Sequence, residues 1–60
     1  NKRIVRKSIV AKNIIKQNEI FTENNITTKR PGSGISPLYW DKIIGKKAKR
    51  KFDTNEAIEI

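Results

Sequence analysis

Short motifs recur in this chain at a spacing of 37 residues. Ala11-Lys12 returns as Ala48-Lys49, and Asn18-Glu19 returns as Asn55-Glu56. The apolar positions Ile15 and Phe21 fall in step with Phe52 and Ile58. Each copy reads as a short extended segment, a turn closed by Asn-Glu, and a second extended segment. A solenoid needs at least about three such units, so two copies predict a pseudo-symmetric pair instead. In each turn the Asn takes the place where positive φ is wanted, which Asn tolerates better than other residues with a side chain.

Between the copies lies Lys29-Arg30-Pro31-Gly32-Ser33-Gly34-Ile35-Ser36-Pro37, with both prolines and two of the three glycines. Pro31 fixes its own φ and pushes Arg30 toward extended geometry. Gly32 and Gly34 admit conformations closed to other residues and let another surface come close. The stretch can hold one guanidinium out from a stiff stalk. The same spacing equally fits a tight strand-to-helix turn with Arg30 merely solvated. Ile26 to Arg30 leads in as a strand. Ser36 and Pro37 suit the N-cap and first position of a short helix that Leu38, Trp40, Ile43 and Ile44 line on one side. Gly45 suits the position just past its end. Ser8 to Ala11 and Ala57 to Ile60 read as further short strands, and Thr22 to Asn25 as a turn or single helical turn. Many short strands with turn punctuation predict a compact, mostly β fold with little regular sheet.

Sixty residues allow one domain. A chain this short buries only ~60% of the surface it exposes when unfolded, and it has no Cys or His to staple it. Apolar residues make up 35%, so the expectation is an economical fold or a piece that docks on something larger. The start at Asn1 favours a fragment. Residues 1–7 read as a linker or frayed start, and 8–60 as the domain. No apolar run approaches the ~20 residues of a membrane span. The basic first residues lack the apolar stretch of a signal peptide.

Fourteen Lys and Arg against six acids give a formal charge of +8. That balance admits nucleic acid, an anionic membrane surface or small anions as partners. Chemistry is more restricted. Without His or Cys, the Cys–His and Ser–His nucleophilic arrangements and the commonest transition-metal ligands are excluded. Asp53 and Glu56 sit in a turn among cations that keep them ionised, unlike a catalytic acid of raised pKa. Gly32-Ser33-Gly34 lacks the Lys-Ser/Thr of a phosphate-binding loop. The run Lys46, Lys47, Lys49, Arg50, Lys51 reads as a solvated face, an electropositive rim or a nucleic-acid patch. Tyr39 and Trp40 are placed to pack in the core rather than to stack on bases.

Several motifs together resemble the SAF, or antifreeze-like, domain at the C-terminus of sialic acid synthases (N-acetylneuraminate synthases). They are Ser8-Ile9-Val10-Ala11, Asn25-Ile26, Lys29-Arg30-Pro31-Gly32, Gly34-Ile35-Ser36-Pro37, Tyr39-Trp40 and Ile44-Gly45-Lys46-Lys47-Ala48, with Ile14, Glu19, Phe21 and Glu56. The resemblance runs from about Arg6 to the end. It implies a small β-clip fold with pseudo-two-fold symmetry and a few short helical turns. It implies a parent transferase of sialic acid biosynthesis, cytoplasmic, with an N-terminal (β/α)₈ (TIM) barrel. Such an enzyme condenses phosphoenolpyruvate with N-acetylmannosamine or a related sugar, giving N-acetylneuraminate or a related nonulosonic acid and phosphate. A divalent metal, Mn²⁺ or Mg²⁺, belongs to the parent, and no cofactor is implied for this domain. In the family the domain caps the barrel of its partner in a domain-swapped homodimer. By resemblance Arg30 contacts the sugar's N-acetyl group, supported by Pro31, Gly32 and Gly34. A guanidinium offers a rigid fork of donors for such oxygens.

The family usually has Gly where this chain has Asn18 and Asn55, and members often run a few residues past the position of Ile60. Two other readings compete. A non-catalytic polyanion or nucleic-acid binder would use the basic run. Ice binding is suggested because type III fish antifreeze proteins resemble the same domain. Its face would fall near Asn13, Ile14, Asn18, Glu19, Ile20 and Thr22, but Lys12, Lys16, Glu19 and Glu23 charge that face, and ice binding is not expected. Which sugar the parent takes is not written in this stretch.

Overall fold

The β-branched residues Ile9, Val10 and Ile26 to Thr28 favour extended backbone. In the computed structural model, which describes residues 7–30 and 34–60, they form an antiparallel ribbon. Strand β1 (Ser8–Ala11) pairs with β2 (Ile26–Lys29) in the register Ser8↔Lys29, Ile9↔Thr28, Val10↔Thr27 and Ala11↔Ile26. The strand expected to reach Arg30 ends one residue sooner, and Arg30 lies in a bend. β1 is buried along its whole length because its other edge is covered too. Ile9 N–H donates to Ile35 O (2.9 Å), Ala11 N–H to Glu56 O (2.9 Å), and Ile58 N–H to Ile9 O (3.0 Å).

The sequence repeat is realised as a pseudo-two-fold axis. The equivalent residues Ile15 and Phe52 exchange both backbone hydrogen bonds, at 2.9 and 2.8 Å. Away from the axis each bond has its counterpart. Ala11 N–H to Glu56 O is matched by Ala48 N–H to Glu19 O (2.8 Å), and Asn55 N–H to Ala11 O by Asn18 N–H to Ala48 O, both 2.7 Å. The bridges Val10↔Ala57 and Ile20↔Lys47 follow the same offset. These ladders run between the halves, so neither half satisfies its buried backbone groups alone. The turn residues Asn18 and Asn55 take φ of 72° and 70°, as their identity predicts.

The core gathers Ile9, Ala11, Ile15, Phe21, Ile26, Ile43, Ala48, Phe52 and Ile58. The Phe21 and Phe52 rings meet across the axis region, centroids 6.0 Å apart and tilted by 53°. Each fully buried large apolar side chain is worth about 1.5–3 kcal/mol. The architecture is thus the small, mostly β clip that the sequence implied, with one short helical passage.

That passage differs from expectation in its helix type. Ser36 Oγ accepts the Leu38 N–H (3.2 Å) and Pro37 opens the passage, as expected, but it begins as a 3₁₀ turn (Pro37–Tyr39) before one α-helical turn, α1 (Trp40–Ile43). A 3₁₀ turn repeats every three residues, which aligns Pro37, Trp40 and Ile43 on one side. Ile43 is buried, and Trp40 and Ile44 pack against the core, whereas Leu38 is 91% exposed and Tyr39 50%. The expectation of core packing therefore holds for Trp40 and fails for Leu38 and Tyr39. Gly45 takes φ of 93° just past the helix, as its position predicted. The strand expected over 57–60 reduces to the single bridge at Ala57, because the Ile9 N–H that would continue the ladder past Ile58 donates to Ile35 O instead. Among the described residues no helix is long and apolar enough to cross a membrane.

Candidate functional site

Arg30 stands at the open end of the ribbon. β2 carries it there: Lys29 is the last paired residue, opposite Ser8, and both Lys29 and Arg30 are exposed. Pro31 and Gly32, the two residues expected to stiffen and then loosen the backbone beside it, lie outside the described residues, as does Ser33. The chain is described again at Gly34, and here the requirement for glycine is steric. A Cβ at this position would stand 3.1 Å from the Ala57 Cβ and 3.4 Å from the Ser8 Cβ. Gly34 therefore presses the returning chain between the start of β1 and the second half. Ile35 then accepts the Ile9 N–H. Lys7 directly precedes β1, Arg30 directly follows β2, and Gly34 packs against the start of β1 at the same end.

The electrostatics of this end differ from those of the rest. Lys7, Lys29 and Arg30 have no ion-pair partner among the described residues. Ion pairs cluster in the second half instead. Arg50 meets Glu56 at 2.9 Å and Glu59 at 3.5 Å, and Lys51 meets Asp53 at 3.6 Å. The Arg50 guanidinium also lies 4.2 Å from the centre of the Phe52 ring, a cation–π contact. The Asp53 N–H and the Arg50 guanidinium hold the Glu56 carboxyl below its usual pKa, and hydrogen bonding to Glu56 raises that of Arg50. So the basic run 46–51 is not one free face. Arg50 is engaged as a clasp, which its surrounding lysines conceal in the sequence.

Each repeat turn is locked by its own glutamate. Lys16 N–H donates to Glu19 Oε1 (2.9 Å) and Asp53 N–H to Glu56 Oε1 (2.8 Å). Asp53 and Glu56 thus close a turn. Among the described residues no group of three acidic, His or Cys side chains could hold a metal ion. A shallow hollow between Gly34, Ile35 and the final residues Ala57 to Ile60 opens near the base of the Arg30 end. Sequence reasoning missed the exposed pair Leu38 and Tyr39. Lys42 Nζ sits 6.0 Å from the Tyr39 ring centre, the outer limit of a cation–π contact. The signal for it was the Ser36-Pro37 start, which fixes the phase of the turn.

Comparison with known proteins agrees with this geometry. The SAF domain profile matches residues 6–59. The chain is 50% identical over 58 residues to the N,N'-diacetyllegionaminic acid synthase of Campylobacter jejuni, covering 97% of this chain and 17% of that protein. It is 33% identical over 57 residues to a pseudaminic acid synthase of Campylobacter jejuni, covering 95% and 17%. A pseudaminic acid synthase of Helicobacter pylori is 33% identical over 54 residues, covering 90% and 16%. The chain spans about one-sixth of the length of these relatives.

Proposed function

The chain belongs to the SAF domain family, and from that premise we propose that it is the substrate-capping domain of a nonulosonic acid synthase. The observation that carries the reading is the 50% identity, over nearly the whole chain, to a protein named for legionaminic acid synthesis. The parent condenses phosphoenolpyruvate with an N-acetylated sugar in the cytoplasm, releasing phosphate. The higher identity to the legionaminic than to the pseudaminic relatives favours a legionaminic-type product. Residues 8–60 form the cap, and 1–7 connect it to a barrel that holds the reacting atoms and any Mn²⁺ or Mg²⁺.

The cap's part is binding and exclusion of water. It seats on the barrel of a partner subunit in a domain-swapped homodimer, with Arg30 entering the mouth. The Arg30 fork donates to the N-acetyl oxygen and fixes the sugar's orientation, which lowers the entropic part of the barrier. Two features support this role: Arg30 is exposed at the end of a paired strand, and no described acid neutralises it. The test is Arg30→Ala in the full-length synthase. Loss of a charge-assisted hydrogen bond predicts kcat/KM for the sugar lower by about 10- to 100-fold, with an unchanged melting temperature. Wild-type kinetics in that variant would remove Arg30 from the site.

A further inference from the structure

Leu38 is 91% exposed, more than any other large apolar side chain among the described residues. An exposed leucine by itself signals nothing. Its setting is what matters. Leu38 belongs to the segment that returns after Arg30, where Gly34 packs on Ser8 and Ala57 and Ile35 accepts the Ile9 N–H. Ile35 also lines the shallow hollow whose other walls are Gly34 and residues Ala57 to Ile60. Those walls are apolar except for Glu59, which Arg50 holds at 3.5 Å. Leu38 follows Ile35 by three residues, so its Cα stands at most about 11 Å away. Tyr39 and Ile60, each 50% exposed, extend the same apolar character to either side.

The backbone under Leu38 is set before any partner arrives. Ser36 Oγ accepts the Leu38 N–H at 3.2 Å, and Tyr39 N–H donates to Ser36 O at 3.0 Å. A projection fixed in this way docks with little further loss of conformational freedom. A covering surface is also to be expected. The 58 matched residues are 17% of the legionaminic acid synthase of Campylobacter jejuni, so most of a protein of that kind lies outside this stretch.

We propose that Leu38, Tyr39 and the hollow beside them form an apolar anchor that seats on the larger domain of a partner subunit and holds Arg30 in its mouth. The inference rests on the capping role above and names the surface and the chemistry by which the cap docks. That chemistry is apolar contact, not the formal charge of +8. The occupant is an apolar patch, because a charged one would lose its water against Leu38 and the hollow with nothing to pair it. Tyrosine beside the leucine suits the centre of such a contact.

The experiment uses the full-length synthase. Leu38→Cys and Ile14→Cys put a thiol at two exposed apolar positions, and wild type gives the background. A maleimide should label Leu38→Cys at least about tenfold more slowly than Ile14→Cys. The protection should persist in about 0.5 M sodium chloride, which screens charge. A photo-crosslinking residue in Leu38→benzoylphenylalanine should join two chains on a denaturing gel. Leu38→Asp should raise KM for the sugar about tenfold, whereas Leu38→Met and Ile14→Asp should keep the wild-type value. Equal labelling of the two thiol variants would overturn the anchor, because Leu38 would then stand in water in the whole enzyme. Protection lost in salt would assign the docking to charge, and crosslinks confined to one chain would remove the partner subunit; either result overturns it. So would wild-type kinetics in Leu38→Asp. If Arg30→Ala is impaired while Leu38→Cys labels fast, only the anchor fails. If Arg30→Ala is itself wild type, the capping role fails.

Discussion

In the first half, the turn at 16–19 is backed by Asn25, and in the second, the turn at 53–56 is backed by Arg50. The backbone of the two turns is the same: an Asn near φ 70°, a Glu oxygen on the N–H three residues before it, and the same ladder to the other half. What surrounds them is not. Asn25 is buried, accepts the Thr22 N–H (2.8 Å) and donates to Ile20 O (2.9 Å) and Glu19 Oε2 (3.4 Å). Arg50 is exposed and holds Glu56 and Glu59 from outside while lying over Phe52. The repeat therefore preserves the groups that fix backbone geometry and leaves the supporting side chains free to differ. One half is supported by a neutral buried amide, the other by a screened surface charge.

The largest effect is expected from removing the buried support. Asn25→Ala leaves the Thr22 N–H and the Ile20 carbonyl without their partner in a part-buried place, a loss of about 1–3 kcal/mol. Arg50→Ala should cost less, because water replaces its contacts. Urea unfolding of both variants checks the order, and equal losses would show that the asymmetry is geometric only. Next come the turn residues themselves. Asn18→Ala and Asn55→Ala each force a residue with no local hydrogen-bonding side chain into the left-handed region, at roughly 1–2 kcal/mol. The two losses should be equal if the repeat is symmetric in energy as well as in shape. A much larger loss at Asn18 would mean that the first half alone sets stability.

The smallest effect concerns pH. The Glu56 carboxyl has a folded pKa below its unfolded one, first through the Asp53 N–H and then through Arg50. Its contribution is therefore complete above the unfolded carboxylate range near ~4.3 and fades as pH falls through the folded value. Melting temperatures from pH 7 to 3 should converge for wild type and Glu56→Gln at the acid end. At pH 7 added salt should narrow their difference, since the Arg50 pair is exposed. A gap constant across all pH would mean that the ionised form of Glu56 is not what stabilises its turn.

Much of this was legible in the residues. The 37-residue repeat named both turns, and asparagine named the positive φ in each. Ser36-Pro37 and Gly45 marked the ends of the helical passage. Less was legible where the outcome depended on phase or on distant contacts. Leu38 looks like a core residue on an α-helical wheel, but a 3₁₀ start turns it outward. Arg50 looks like one cation in a run, and only the fold brings Glu56, Glu59 and Phe52 to it. Gly34 reads as loop freedom or as a place of close approach; the fold makes it the second and supplies the surfaces, Ser8 and Ala57, from opposite ends of the chain.

By itself the sequence determined the local rules: which residues turn, which extend, which cap, and that two halves repeat. Those depend on one residue's backbone preferences and its near neighbours. The tertiary structure alone decided which edges of β1 are covered, which cation is clasped, and which remain open. It set Lys7 and Arg30 at one end of a ribbon with no described acid paired to either. Such pairings follow from strand register and close packing, which no local propensity encodes.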